Sequence, residues 1–392
     1  MTLEGVAAKK KSRNSSIELL RLISMLMIVG HHYVRGGVIG ESGIWVATQQ
    51  VSVKKFVYQF IYMGGGWIGD CVFFIISVWF LVDGRQTLKG SLKRVWLMER
   101  QLLFWSLTLL GVSYILQHVG FFDVSLLSLT AFSCFPLCLN LWWYATSYAL
   151  FLLFLPFLMT GIKALGRSGH KALALIVLIL WGILGMIPHV QFNLYTGSVF
   201  VFIYWFILIT YYKWYMRSIT IKESCYIIII GIFINFLYWI ASNLIFVYTG
   251  RFVSLQNFPS DHWFISSMLI GFGMFSLAIE NEWHSSFVNM LAGSAFGVYL
   301  IHTYGTVPFI WDRISSIRIA YNSNSSILFG ACVIISIFTI CLLLDLIRQF
   351  LFSVTFDRHK GRLFDRCWSW VEYRMMQRGK HMRTNRDKTM FV

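Results

Sequence analysis

Several stretches of about 20 residues in this 392-residue chain carry almost no charge, and that patterning limits the chain to one class of fold. A segment of that length and apolarity crosses a bilayer as a helix, because every backbone polar group must find its partner within the segment. Ten such stretches are expected to form transmembrane helices. They lie near residues 17–34, 67–83, 96–118, 141–162, 172–188, 197–212, 225–246, 263–280, 288–309 and 327–349. The expected fold is therefore an all-α integral membrane protein of about ten transmembrane helices. Composition agrees: 57% of residues are hydrophobic, 18% aromatic and only 13% charged, a profile that soluble domains rarely show.

The net charge of +16 raises nucleic acid as a partner. It is rejected because the positive residues sit in loops and a tail between apolar spans, where topology and attraction to anionic membrane lipids account for them. With the N-terminus placed inside, 27 of the 33 Lys and Arg fall on the inner side and 6 on the outer. This asymmetry predicts an N-in/C-in arrangement and an even number of spans. The expected organisation is a basic cytoplasmic N-terminus (1–16), a membrane domain (17–349) and a basic cytoplasmic tail (350–392). Lys9, Lys10, Lys11 and Arg13 before an apolar run resemble a signal peptide, but Arg21 interrupts the run and no small-residue cleavage site follows. The segment reads as a retained first span.

That first span carries Arg21 near one end and His31-His32 at the other. Eleven residues separate Arg21 from His32, three turns plus roughly 20°, so both lie on one face about 16 Å apart along the axis. His31 points about 100° away from that stripe. Ionisable groups inside a membrane are costly and mark functional sites. The plainer alternative is that Arg21 snorkels to the headgroups while His32 caps a helix end. The ninth span places His302 at a depth similar to that of His32. Trp142 and Tyr144 begin the fourth span, Asp70 sits near the outer end of the second, and Tyr299 precedes His302 by one turn. These residues are expected to converge in the outer half, where a neutral imidazole suits general-base chemistry on a hydroxyl. Interhelical hydrogen bonding for His302 and an aromatic belt for Trp142 are the plainer alternatives.

On the inner side, Arg85, Lys89, Lys93, Arg94 and Arg100 surround the start of the third span. They offer cations for the phosphates of a cytoplasmic cofactor, although positive-inside topology also explains them. Gly64-Gly65-Gly66 reads as a flexible lead-in to the second span, after an amphipathic piece over 56–63. The apolar 119–140 connection is expected to lie in the interface or re-enter it. The seven cysteines show no metal-ligand spacing, so no metal is expected, and Cys134 and Cys138 share one outer loop where a disulfide is conceivable. No P-loop, dinucleotide-binding glycine motif or nucleophile elbow occurs.

Four segments, taken in order, resemble the acyltransferase-3 family of bacterial multi-span membrane acyltransferases. They are Ile17–His32 with its Arg-x10-His spacing, Phe73-Phe74-Ile75-Ile76-Ser77-Val78-Trp79-Phe80-Leu81 with the basic loop beyond it, Asn140-Leu141-Trp142-Trp143-Tyr144, and Phe296-Gly297-Val298-Tyr299-Leu300-Ile301-His302. Val78 stands where that family usually has Gly, and the acid before the Phe-Phe pair falls at Asp70, one position early. The resemblance implies a multi-pass protein of the bacterial plasma membrane that takes an acyl group from cytoplasmic acyl-CoA, most often acetyl-CoA. The acceptor would be a hydroxyl of a cell-surface polysaccharide or lipid-linked glycan. It implies His32 as the catalytic histidine and Arg21 as a group that contacts the donor or orients the site. The reading from residues alone keeps a second possibility open: a transporter or flippase of glycans or small molecules in which the same ionisable groups form a substrate or proton path.

Overall fold

The computed structural model describes residues 13–36, 41–257, 261–355, 357 and 361–389, and among these the chain is helical with no strand. Lys9, Lys10 and Lys11 lie outside the described residues. A helix occupies each of the ten expected positions. These are α1 (Ser15–Arg35), α2 (Val53–Leu81), α3 (Leu88–His118), α4 (Trp143–Ala164), α5 (Gly166–Met186), α6 (Val199–Tyr215), α7 (Ile221–Thr249), α8 (Ile265–Glu280), α9 (Ser286–His302) and α10 (Ser326–Val354). A further long helix, α11 (Arg362–Thr389), lies in the tail. By length and composition α1, α2, α4, α5, α7 and α10 can each cross a membrane, while α6, α8 and α9 are shorter apolar helices. The long α3 carries Lys89, Lys93, Arg94, Glu99 and Arg100 in its first half and is apolar beyond them.

Local chemistry sets the helix ends. Asn14 Oδ1 accepts from the Ser16 amide at 2.9 Å, and Thr87 Oγ1 accepts from the Gly90 amide at 3.1 Å, so α1 and α3 start on side-chain caps. Thr220 and Glu223 form a capping box for α7, which ends at Gly250 in the left-handed conformation that glycine adopts without penalty.

Two helices form the centre. Most of the apolar stretch of both α1 and α2 is buried, whereas α7 is peripheral, with one side exposed and the other packed against α8 through Gly231 and Gly273. One apolar cluster joins α1 to α3, α9 and α10 through Met25, Trp105, Leu300 and Ile337. A second joins α2 to α4, α6 and α8 through Phe74, Phe151, Phe202 and Phe275, and Ile17 and Leu20 of α1 enter this one as well.

The expected flexible glycines prove to be the contact surface between the two central helices. The segment 57–63 is a π-helix that runs without a break into the α-helix at Gly64, so the second span begins well before residue 67. A Cβ at Gly66 would overlap the His31 side chain, and one at Gly69 would sit 2.5 Å from the Ser24 carbonyl oxygen. These glycines let two backbones approach as small residues do between membrane helices. Gly66→Ala is therefore expected to cost about 1–3 kcal/mol of stability by overpacking. Gly161→Ala, where a Cβ meets nothing within 4 Å, should be neutral. Thermal unfolding of the two variants in mild detergent separates them, and equal midpoints would refute the close-contact role.

Cys134 and Cys138 do not form a disulfide: both are free thiols, as two ordinary positions in an apolar loop would be. The 119–140 connection contains a short helix, Leu127–Cys134, tied down by Ser133, whose carbonyl accepts from Ser106 Oγ at 2.7 Å and whose hydroxyl pairs with Tyr304 at 2.8 Å.

Candidate active site

The Arg21/His32 stripe survives intact, because α1 is one uninterrupted helix. At its far end His32 Nδ1 lies 2.9 Å from His302 Nε2. The hydrogen-bond chain fixes the tautomers of this pair. His302 Nδ1 is 2.6 Å from the Val298 carbonyl oxygen, which can only accept, so Nδ1 carries the proton and the neutral ring offers Nε2 as an acceptor. His32 Nδ1 must then donate to His302 Nε2. That leaves the His32 Nε2 lone pair free, as in other sites where one ring nitrogen is fixed so that the second can act. His31 is engaged differently. Its Nδ1 donates to the Met63 carbonyl at 2.8 Å and its ring meets Trp67 edge-on at 4.7 Å, which ties α1 to α2.

A small cavity of about 40 Å³ opens beside the pair and is lined by His32, His302, Tyr33, Gly36, Trp311 and Asp312 among others. Trp311 and Asp312 belong to a short helix, Val307–Ile314, that follows α9.

Below the histidines lies a layer of tyrosines. The Tyr299 ring is 6.3 Å from His302 and 6.2 Å from Tyr144, and its hydroxyl accepts from the Tyr144 amide at 3.4 Å. The Tyr144 hydroxyl pairs with Ser77 Oγ at 2.9 Å. Asp70 belongs to α2, the helix that also carries Ser77. Its depth differs from expectation. Since Gly66 faces His31 and Gly69 faces Ser24 and Ile28, Asp70 sits between the levels of Arg21 and His32 rather than at the outer end. The expected boundary at residue 67 placed it too near that end. Trp142 is a brace: it is 2% exposed and its indole donates to the Leu300 carbonyl at 3.1 Å, which joins α4 to α9.

At the other end of the stripe, Arg21 pairs with Glu18 at 2.8 Å. It borders an open cavity of about 650 Å³ together with Arg13, Glu18, Trp79, Asp83 and Lys213. Lys213 donates to Asp83 at 2.5 Å and to the Trp79 carbonyl at 2.9 Å. The remaining expected cations are dispersed. Lys93 is engaged by Asp365 and Arg100 by Asp357, each at 2.6 Å, as the tail lies against α3. Arg94 donates to Gln86 at 2.8 Å, and Arg85 is exposed in the loop.

Sequence reasoning missed Lys213, Trp311, Asp312 and His262. A charge at the end of an apolar run reads as ordinary interfacial residue, which hid Lys213 and Asp312. His262, wholly buried, stacks on Phe74 at 4.9 Å and lies near Trp67 and Trp143, with neither ring nitrogen hydrogen-bonded among the described residues. Its place just before an apolar run gave it the look of a helix-end residue.

The family model described as an acyltransferase domain, of the acyltransferase-3 type, matches residues 14–346. Comparison with curated proteins and with solved structures gives no match.

Proposed function

Because the chain belongs to the acyltransferase-3 family, and so to the membrane acyltransferases, we propose that it is an O-acetyltransferase that takes acetyl from cytoplasmic acetyl-CoA and esterifies a hydroxyl of an exported or lipid-linked cell-surface polysaccharide. One observation carries the reading: a histidine pair with a free Nε2 and a cation-bordered cavity stand at opposite ends of one helix face, about 16 Å apart. An extended pantetheine arm spans a distance of that order. With the Arg21 end placed inside, as the 27-to-6 charge split favours, the cations face the compartment that supplies acyl-CoA and the histidines face the bacterial cell surface. Ten membrane crossings in an N-in/C-in arrangement fit the same placement.

In this mechanism Arg21, Arg94 and Lys213 take the donor phosphates, exchanging their present carboxylate and amide partners for the more highly charged ligand. The pantetheine runs along the α1 stripe past Tyr144 and Tyr299, and the thioester carbonyl stops beside His32. His32 Nε2 removes the proton of the acceptor hydroxyl as its oxygen attacks the carbonyl carbon. The C–S bond then breaks, the electron pair leaves on sulfur, and the imidazolium returns its proton to the departing thiolate. His302 holds the His32 tautomer throughout. Asp70 lies beside the donor path, where it would contact substrate together with Tyr144 and Tyr299.

The test is binding and turnover with labelled acetyl-CoA on protein reconstituted in proteoliposomes, wild type against Arg21→Ala. Loss of a charge-assisted hydrogen bond to phosphate is worth about 1.5–3 kcal/mol, so acetyl-CoA binding should weaken roughly 10- to 100-fold. A wild-type protein that binds no acetyl-CoA but moves glycans down a gradient would be a transporter, and the proposal would fail.

A further inference from the structure

Between α2, α7 and α8 lies a further cavity, of about 70 Å³, that the acyl-transfer mechanism leaves unused. Met63 lines it, and the Met63 carbonyl is the one that His31 holds, so the cavity sits at the histidine end of α2. The π-helical segment 57–63 carries Gln59 into its wall, and wide turns of this kind recur at functional sites. Gln59 Oε1 accepts from Trp239 Nε1 at 3.1 Å, and Gln59 Nε2 donates to Gln256 Oε1 at 3.3 Å. Two other polar side chains in the lining have no hydrogen-bond partner among the described residues. Asn235 is one, in the middle of α7, the least buried of the helices long enough to cross a membrane. Its amide oxygen is closed off, which leaves the amide nitrogen as the open end. Ser267 of α8 is the other. It is 1% exposed, and its hydroxyl is not among the polar atoms closed off from water, so the hydroxyl is what remains open. Polar groups inside a membrane are expensive, and two held open beside a cavity mark a place where a ligand completes them.

The lining defines the ligand. None of the described residues around the cavity is charged, which disfavours a phosphate or an ammonium group inside it. The open amide N–H of Asn235 and the Ser267 hydroxyl can both donate, so the ligand supplies an acceptor. Ile68, Ile232 and Ile270 belong to the wall, and Ile232 is 43% exposed on α7, so an apolar chain can continue from the cavity into lipid. The volume takes about five water-sized groups. An ester linkage with its neighbouring methylenes has that size, offers an uncharged carbonyl acceptor and leads into a hydrocarbon tail. We propose that this cavity is a glycerolipid seat, in which Asn235 Nδ2 and Ser267 Oγ donate to an acyl-ester carbonyl of a membrane phospholipid while the acyl chain leaves past Ile232 along α7. With the histidine end outside, the lipid comes from the outer leaflet. The seat is independent of the acyltransferase reading, because lipid binding alone reports it.

Dipalmitoyl phosphatidylglycerol and its dihexadecyl ether counterpart differ only in the two ester carbonyls. Full-length protein, stripped of lipid in mild detergent, is titrated with each, and native mass spectrometry counts the bound lipid. The wild type should bind the diester about 3- to 10-fold more tightly than the diether, the range for one neutral hydrogen bond. In a double variant, Asn235→Leu with Ser267→Ala, that ratio should fall to one, which also controls for any difference between the lipids in the micelle. The double variant loses only unpartnered polar groups, so its unfolding midpoint without lipid should be no lower than that of the wild type. Equal binding of the two lipids by the wild type, as a cavity holding water alone would give, overturns the seat. So does an ester preference that survives in the double variant, and so does the absence of binding by either lipid. A lowered midpoint in the double variant would mean that these side chains serve the fold rather than a lipid, and it too would overturn the assignment.

Discussion

His32→Ala should lower acetyl transfer by about 10²–10⁴-fold, the range that a positioned general base supplies, and leave acetyl-CoA binding unchanged. The separation of effects follows from geometry, because Arg21, proposed to take the donor phosphates, lies about 16 Å along α1 from the imidazole. In the proposed mechanism His302 acts through His32 and not on substrate, so His302→Ala should cost less, and the double variant should be no worse than His32→Ala alone. A finer arm tests the tautomer chain. In His302→Gln the amide oxygen can still accept from His32 Nδ1, so this variant should retain more activity than His302→Ala. Steady-state kinetics with a saturating acceptor and isothermal titration with acetyl-CoA provide both readouts. Full transfer by well-folded His32→Ala protein would remove the mechanism, and equal loss in His302→Gln and His302→Ala would remove the positioning role of His302.

The parts of this site that could be read from sequence share one property: they are ionisable residues inside apolar runs, where burial must be compensated by something specific. Arg21, His32 and His302 stand out for that reason, and the 3.6-residue period puts the first two on one face without any structure. What the period cannot supply is the partner on another helix. The Val298 carbonyl sets the protonation of His302, and through it that of His32, yet a backbone carbonyl leaves no mark in a sequence. The helices themselves were legible wherever apolar runs were long. The start of α2 was not, because Tyr58, Gln59 and Tyr62 break the apolar pattern and three glycines read as a flexible lead-in. Glycine is tolerated there because its missing side chain lets α1 approach, a gain that depends on a helix 30 or more residues away in sequence. The same error displaced Asp70 towards the outer end. Lys93 and Arg100 were legible as cations but not as engaged ones, since their carboxylate partners come from the tail.

The glycine of the fourth motif segment leads to the largest stability effect. A Cβ at Gly297 would overlap the Asp345 carboxylate, so α9 and α10 meet where this acid fills the space a side chain would take. Asp345 is wholly buried and accepts from Trp105 Nε1 at 2.9 Å and from Arg348 Nε and a terminal guanidinium nitrogen at 2.7 and 3.0 Å. Gln349 extends the network to Ser294 at 2.5 Å. Asp345→Ala should therefore cost about 3–5 kcal/mol, because it strands the nearly buried Arg348 charge and leaves the Trp105 N–H unpaired. Removing both charges at once should cost far less, since burying an ion pair carries a desolvation penalty that the double replacement also removes. Asp345→Asn combined with Arg348→Met preserves the shape under Gly297 and the acceptor for Trp105, and should recover most of the lost stability. Unfolding midpoints in mild detergent decide the matter. An unshifted midpoint for Asp345→Ala would show that the pair holds nothing together. Recovery of stability without recovery of transfer would show that the charges at this joint also set the position of α9, whose Val298 carbonyl, one residue beyond Gly297, fixes the His302 tautomer.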